Sequence, residues 1–211
     1  MRLLKIFIAV LLIITIAASL FLGATWLYLK ESNGTFARAV SQTEKELRMD
    51  MIVTAQSWLG TAEGSAAHEA LIQIYNSHKP LAQGYPVKLE DNWCAAFASA
   101  VAISENLTDI IPTECGCERQ IGLWDAMGRW NEDDAYMPLP GDYIYYAWDE
   151  VKTMGDCTGW ADHVGIVVGT AGPFIKVIEG NKDDMVTYRI ILRNDHRIRG
   201  FGLPDYASKI A

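Results

Sequence analysis

One stretch decides how this chain folds: Asp91-Asn92-Trp93-Cys94-Ala95-Ala96-Phe97-Ala98-Ser99-Ala100-Val101. It places a cysteine between polar residues and a run that is apolar on every side. Asn92 or Asp91 is expected to cap a helix with a side-chain oxygen, which puts Cys94 in the first turn. There, unpaired backbone N–H groups and the helix dipole favour a thiolate. The apolar run predicts a buried helix whose N-terminus alone reaches a cleft. The alternative is a core cysteine that packs as a small hydrophobe.

The N-terminal residues predict a membrane anchor. The chain has 211 residues, enough for one membrane segment and one domain of ordinary size. An uncharged run from Ile6 to Leu29 is about long enough to cross a bilayer as a helix. Arg2 and Lys5 precede the run, which favours a cytoplasmic N-terminus and an extracellular domain. A cleaved signal peptide is the competing interpretation, but its apolar region is normally shorter. We therefore expect an uncleaved, single-pass anchor in the cell membrane.

The charge balance argues against several partners. The chain carries 18 basic and 26 acidic residues, a net charge of −8. Its lysines and arginines do not cluster among aromatic residues, which argues against nucleic-acid binding. An acidic domain is also not attracted to anionic wall polymers or lipid head groups, so the anchor is expected to determine where it works.

Four cysteines lie at positions 94, 115, 117 and 157. They suit an extracellular compartment but do not define a disulfide scaffold in a domain of this size. Cys115-Gly116-Cys117 offers one partner for Cys157 or two soft metal ligands, yet the usual spacing of a zinc site is absent. Three alternatives stay open for these cysteines: no bond is favoured over one disulfide, and one disulfide over a metal site. Because only Cys94 is expected at a helix start, we expect it to be the only cysteine needed for activity.

The hydrophobic pattern changes period along the chain. We expect an anchor over 1–30, a linker over 31–40 and a catalytic domain over 41–211. Helices are predicted first, from the Ser41 capping box to Gly60, from Ser65 to Asn76, after Cys94, and from Glu118 to Trp130. Strands are predicted at 143–148, 163–168, 174–179, 185–192 and 198–202. Helices followed by a strand meander are typical of an α+β domain, with an antiparallel sheet packed on the Cys94 helix.

A second group of chemistry-bearing residues lies on these strands. His163 opens an apolar strand directly after the polar loop 155–162, where a general base belongs at a cleft edge. The next strand ends in Glu179-Gly180-Asn181, and strand alternation predicts that Glu179 and Asn181 share a face within reach of the imidazole. A cysteine nucleophile needs such a base and such an orienting group. The remaining histidines are expected to be solvated or at edges, namely His68, His78 and His196.

Four motifs in this order resemble those of the CHAP family, the cysteine- and histidine-dependent amidohydrolases/peptidases of the papain-like superfamily. They are Trp93-Cys94-Ala95-Ala96-Phe97, Pro140-Gly141-Asp142, Asp162-His163-Val164-Gly165-Ile166-Val167 and Ile178-Glu179-Gly180-Asn181. The resemblance implies a papain-like domain of NlpC/P60 type and a bacterial or phage hydrolase of peptidoglycan amide bonds. It would act as an N-acetylmuramoyl-L-alanine amidase or as a stem or cross-bridge endopeptidase. It implies Cys94 as nucleophile, His163 as base, and Glu179 and Asn181 as orienting groups.

The chain also departs from its implied relatives. The Asp-Cys-Ser-Gly setting of NlpC/P60 enzymes is absent, as is the acidic calcium loop of some phage CHAP enzymes, so we expect no metal and no cofactor. Without room for wall-binding repeats, the domain is expected to work on nearby wall or within a larger assembly of cell-wall machinery. The alternatives are a non-catalytic binding module and a cysteine peptidase that acts on proteins.

Aromatic and polar side chains near the cysteine are candidates for substrate contact. Trp93 and Trp160 are predicted to line a substrate groove, with packing in the aromatic core as the alternative, above all for Trp93. The backbone N–H of Cys94 is expected to donate into an oxyanion hole. Asn92 is a candidate second donor.

Overall fold

The computed structural model describes residues 2–133, 135–148 and 157–210. In these residues five α-helices precede or flank a single sheet: α1 (Arg2–Glu31), α2 (Gln42–Ser57), α3 (Ala66–Ser77), α4 (Cys94–Ser104) and α5 (Cys117–Ala126). The strands are β1 (Trp130–Asn131), β2 (Tyr143–Tyr146), β3 (His163–Ala171), β4 (Phe174–Lys182), β5 (Met185–Leu192) and β6 (Ile198–Gly202). They form an antiparallel sheet in the order β1-β6-β2-β3-β4-β5. The α+β class and the antiparallel sheet are thereby confirmed.

Serine caps set the starts of α2 and α3, as predicted. The Ser41 hydroxyl accepts a hydrogen bond from the backbone N–H of Glu44 at 3.1 Å, and the Ser65 hydroxyl accepts one from His68 at 3.2 Å. Each cap satisfies one of the donors that a helix leaves unpaired in its first turn. The polar-to-apolar change in the sequence was therefore a sound guide to these two helix starts.

The start of α4 differs from the prediction. Its N-cap is Trp93, and no side chain among the described residues caps it. The Asp91 carboxylate instead accepts hydrogen bonds from the Lys88 backbone and the Tyr85 hydroxyl, at 2.8 and 2.7 Å. The prediction that Asn92 or Asp91 caps this helix is therefore wrong. Cys94 still occupies the first helical position, where the N–H groups stay available to a charged sulfur.

Helix α4 forms the centre of the domain. All residues from Cys94 to Ala102 are buried, and the helix packs against α2, α3, β3 and β4. At Gly180 of β4, an added Cβ would lie 2.5 Å from Cβ of Phe97. At Gly165 of β3, it would lie 2.7 Å from Cγ of Glu179. Because Gly180 carries no side chain, β4 can approach α4 closely. Because Gly165 carries none, β3 leaves room for the side chain of Glu179 on β4.

Helix α5 ends earlier than predicted. The helix stops at Ala126, before the predicted end at Trp130, and Met127 is 41% exposed. Trp130 and Asn131 instead form the short strand β1, which pairs with Gly202 and Phe201 of β6. Pairing with a strand far along the chain overrides the local helical pattern.

The Pro140-Gly141-Asp142 motif has a structural role. Asp142 is buried and accepts hydrogen bonds from Arg48 Nη1 at 2.9 Å, from the Tyr136 hydroxyl at 2.7 Å and from the Leu139 backbone at 2.8 Å. Arg48 also donates to the Pro140 carbonyl. This network pairs the buried carboxylate of Asp142 with the buried guanidinium of Arg48. It thereby ties the residues that lead into β2 to helix α2.

Helix α1 is the only described helix that is long and apolar enough to cross a membrane, over Ile6–Glu31. The segment that follows it, predicted as a linker, is packed against the sheet. Thr35 and Thr170 exchange backbone hydrogen bonds at 2.9 and 3.2 Å, and Lys176 Nζ donates to the Ser32 carbonyl at 2.7 Å. Leu29, near the end of α1, is fully buried. The helix and the domain are therefore joined by contacts as well as by the chain.

Candidate active site

The site is built around the sulfur of Cys94. As the first residue of α4, Cys94 is only 4% exposed. Its Sγ lies 3.6 Å from Sγ of Cys117, which is the first residue of α5. The prediction that only Cys94 lies at a helix start is therefore wrong. The predicted start of this helix, Glu118, lies one residue after Cys117, and the second thiol was therefore not predicted at the site.

His163 and Glu179 form the second part of the site. His163 begins β3, and its Nε2 lies 3.1 Å from Oε2 of Glu179 on the neighbouring strand β4. The ring of Tyr146 is stacked near the imidazole, with 6.0 Å between ring centroids. Because Nε2 is engaged by the carboxylate, Nδ1 is the nitrogen left to exchange a proton with Cys94. The predicted pairing of His163 with Glu179 is thus present.

The fully buried carboxylate of Glu179 has a second partner. Nε of Arg189 on β5 donates to Oε1 of Glu179 at 2.6 Å, and the guanidinium lies 4.3 Å from the ring centroid of Trp148. Sequence reasoning missed Arg189. Strand β5 pairs Arg189 with Val177, which makes Arg189 the diagonal neighbour of Glu179 on one face, and this register is visible only in the folded sheet.

The electrostatics of the site favour a charged thiol and a charged imidazole. A hydrogen bond from Cys117 and the proximity of His163 hold the pKa of Cys94 well below its ordinary value, against the effect of burial. Burial lowers the pKa of His163, but hydrogen bonds with Cys94 and Glu179 outweigh it and raise that pKa to about 10. Burial likewise raises the pKa of Glu179, and His163 and Arg189 outweigh it, so that this pKa is lowered. The arrangement therefore supports a thiolate–imidazolium pair at neutral pH.

Asn181 lies apart from this group. The pairing of β4 with β5 shifts register between Glu179 and Lys182, and Asn181 has a φ of 57°, so regular alternation does not hold there. Its amide Nδ2 donates to Oδ1 of Asn92 at 3.3 Å. The prediction that Glu179 and Asn181 reach the imidazole together is corrected: Glu179 contacts His163, whereas Asn181 bridges to the residue proposed as an oxyanion donor.

The two tryptophans predicted to line a groove differ in exposure. Trp93 is fully buried, and its Nε1 donates to Oε2 of Glu63 at 3.1 Å, so it belongs to the core and not to a groove. Trp160 is 76% exposed. The backbone of Ala161, beside Trp160, donates to Oε2 of Glu118 on α5 at 2.8 Å. Positions 155 and 156 of the predicted loop lie outside the described residues.

His68 was predicted to be solvated or at an edge, but it is fully buried. Its Nδ1 accepts a hydrogen bond from the backbone of Gly64 at 3.1 Å, and its ring lies 4.5 Å from that of Trp93. His196 is half-exposed beside Asp195, with 3.8 Å between its Nδ1 and Oδ1 of Asp195. Neither histidine contacts the sulfur of Cys94 in the contacts described.

The cysteines near the site are reduced. Cys94, Cys115 and Cys117 form no disulfide in the part of the chain that the structure describes. Over the same residues, no group of three or more histidine, cysteine or acidic side chains is arranged to hold a metal ion. The site therefore places a thiol, an imidazole and a carboxylate next to one another, in that spatial order.

Comparison with protein-family models, with curated proteins and with solved structures finds no match to this chain.

Proposed function

We propose that this chain is a membrane-anchored thiol hydrolase that cleaves amide bonds of peptidoglycan. One observation carries the proposal: Cys94, at a helix start, interacts with the imidazole of His163, which in turn forms a 3.1 Å hydrogen bond with Glu179. The thiol lies on a buried helix, and the imidazole and carboxylate lie on adjacent antiparallel strands. This is the order that the resemblance to CHAP enzymes implies, and we propose that the domain is papain-like.

The arrangement suits a two-step acyl transfer. The Cys94 thiolate attacks the amide carbonyl carbon, and the backbone N–H of Cys94 accommodates the oxyanion. His163 gives its proton to the leaving amine, and the acyl group stays on the sulfur as a thioester. His163 then takes a proton from water, the hydroxide attacks the thioester, and the thiolate is restored. Glu179 stabilises the imidazolium in both steps.

Three features support the cell wall as the substrate. The four sequence motifs resemble those of wall hydrolases, and α1 has the length and apolarity of a membrane anchor. The exposed Trp160, three residues before His163, offers a flat apolar surface for a sugar ring or a peptide stem. With an outward-facing domain, the polymer nearest to the site is peptidoglycan.

The proposal is tested with the full chain in detergent micelles, because Ser32 and Thr35 pack on the sheet and a chain cut at 41 would lose those contacts. Purified sacculi are incubated with wild type and with Cys94→Ala, and the released muropeptides are identified by mass spectrometry. We expect new amines and new carboxylates from wild type alone.

The same experiment separates the alternatives. Sacculi that bind the protein without being cleaved would assign it to the non-catalytic binding modules. Faster cleavage of an unfolded protein than of sacculi would make it a protein-directed peptidase. Either result would overturn the proposed substrate.

A further inference from the structure

The second thiol of the site is not accounted for by the reaction above. Sγ of Cys117 lies 3.6 Å from Sγ of Cys94, within hydrogen-bonding distance for sulfur, and Cys117 is 7% exposed. Two buried thiols this close do not both ionise, because like charges in a low-dielectric interior repel strongly. One sulfur must therefore keep its proton when the other loses it.

Neither α4 nor α5 has a side-chain cap among the described residues, so the surroundings of each helix start distinguish the two sulfurs. At α4, no described side chain caps the helix, so its first N–H groups and its dipole act on Cys94. At α5, the buried side chain of Glu114 accepts hydrogen bonds from the backbone of Cys115 at 2.8 Å and of Gly116 at 3.3 Å. The N–H groups of the two residues just before Cys117 are therefore engaged by Glu114 and not by the sulfur of Cys117.

The charged neighbours act in the same direction. Cys94 interacts with the imidazolium of His163, whereas Cys117 faces the negative charge of Asp162. The hydrogen bond to Cys94, burial and these charges raise the pKa of Cys117 well above its ordinary value. Cys117 therefore stays a neutral thiol over the range in which Cys94 ionises.

We propose that Cys117 is a positioning residue for the nucleophile: it keeps its proton and donates an S–H···S hydrogen bond that selects Cys94 as the charged member of the pair. The proton is not transferred in the reaction. When Cys94 becomes a thioester it loses its charge and the bond weakens; when the thioester is hydrolysed, the bond again receives the thiolate. The inference rests on the proposed function only in taking Cys94 as the nucleophile.

The test uses alkylation, which needs no substrate. The full chain in detergent micelles is treated with iodoacetamide over a range of pH, and the modification of Cys94 is followed by mass spectrometry of its peptide. For Cys117→Ala we expect the midpoint of Cys94 alkylation to rise by about one pH unit, as for the loss of one hydrogen bond to a charged atom. Cys117→Ser retains a donor and should keep the midpoint near that of wild type.

Cys115→Ala is the matched control, because Cys115 lies two residues away and its thiol is directed to Glu114 at 3.5 Å. Its midpoint should equal that of wild type. A purely structural role for Cys117 would lower the melting temperature without moving the midpoint, and serine would not restore the wild-type profile. An unchanged midpoint in Cys117→Ala, or equal shifts in the alanine and serine variants, would overturn the inference.

Wild type alone provides a measurement that does not depend on a folded variant. At neutral pH, iodoacetamide should modify Cys94 before Cys117. Preferential modification of Cys117 would reverse the assignment. Since no step involves peptidoglycan, a protein that shows the expected alkylation but cleaves no sacculi would retain this inference and lose the proposed function.

Discussion

Replacing Glu179 by glutamine tests the centre of the site. The substitution keeps the shape of the side chain but removes the charge that lies 3.1 Å from Nε2 of His163 and 2.6 Å from Nε of Arg189. Glu179 is fully buried, so water does not replace the lost charge. The imidazolium is then less stable, and the raised pKa of His163 should fall towards its ordinary value.

The size of the effect follows from one hydrogen bond between charged groups. Such a bond contributes about 1.5–3 kcal/mol, and each step of about 1.36 kcal/mol changes a rate tenfold. We therefore expect Glu179→Gln to slow muropeptide release about tenfold to a hundredfold. The upper limb of the pH profile should move to lower pH, because His163 then loses its proton earlier.

Two variants control this experiment. Asn181→Ala removes a nearby side chain whose described hydrogen bond goes to Asn92, and it should slow the reaction less. Asp142→Asn breaks another buried ion pair, with Arg48 at 2.9 Å, and should lower the melting temperature while leaving the pH profile in place. If Glu179→Gln left rate and profile unchanged while Asn181→Ala abolished activity, Asn181 would be the orienting group and the assignment would be reversed.

Three further outcomes are expected. The wild-type rate should fall as pH rises through about 10, where His163 loses its proton; a rate that stays constant to higher pH would contradict the ion pair. Gly180→Ala should lower the melting temperature and the activity together, because its Cβ would lie 2.5 Å from that of Phe97; a fully stable variant would refute the close packing of β4 on α4. Protease added to intact cells should degrade the domain but leave α1 in the membrane, and a mature chain beginning near Leu20 or Thr25 would exclude the anchor.

The elements with strong local signals were predictable from the sequence. The serine caps correctly predicted the starts of α2 and α3. The strand patterns correctly predicted the bounds of β5 and β6. The strand β1 was missed because it has two residues and exists only through its pairing with β6. Local preference cannot indicate a pairing partner about 70 positions away, and the helix was therefore predicted to continue to Trp130.

The site was predictable where residues adjoin a recognisable helix or strand start. Cys94 and His163 both begin an element, and Glu179 lies on the strand paired with β3. Asn181 was misplaced because a register shift follows Glu179, and a shift of one residue moves a side chain to the other face. Cys117 was missed because α5 was predicted to begin one residue later, at Glu118, and because the approach of its sulfur to Cys94 is a tertiary contact that local pattern does not indicate.

Arg189 explains how the site remains charged inside the protein. A thiolate, an imidazolium and a carboxylate together carry one net negative charge, and burying it is costly in a low-dielectric interior. With Arg189, the series Cys94, His163, Glu179 and Arg189 alternates in sign and sums to zero. Each of the two negative groups then has a positive neighbour, and Glu179, which lies between two of them, stays ionised. The stacking of the guanidinium on Trp148 holds this last charge in place. Glu179 can therefore stay ionised beside His163 because Arg189, on a third strand, balances its charge.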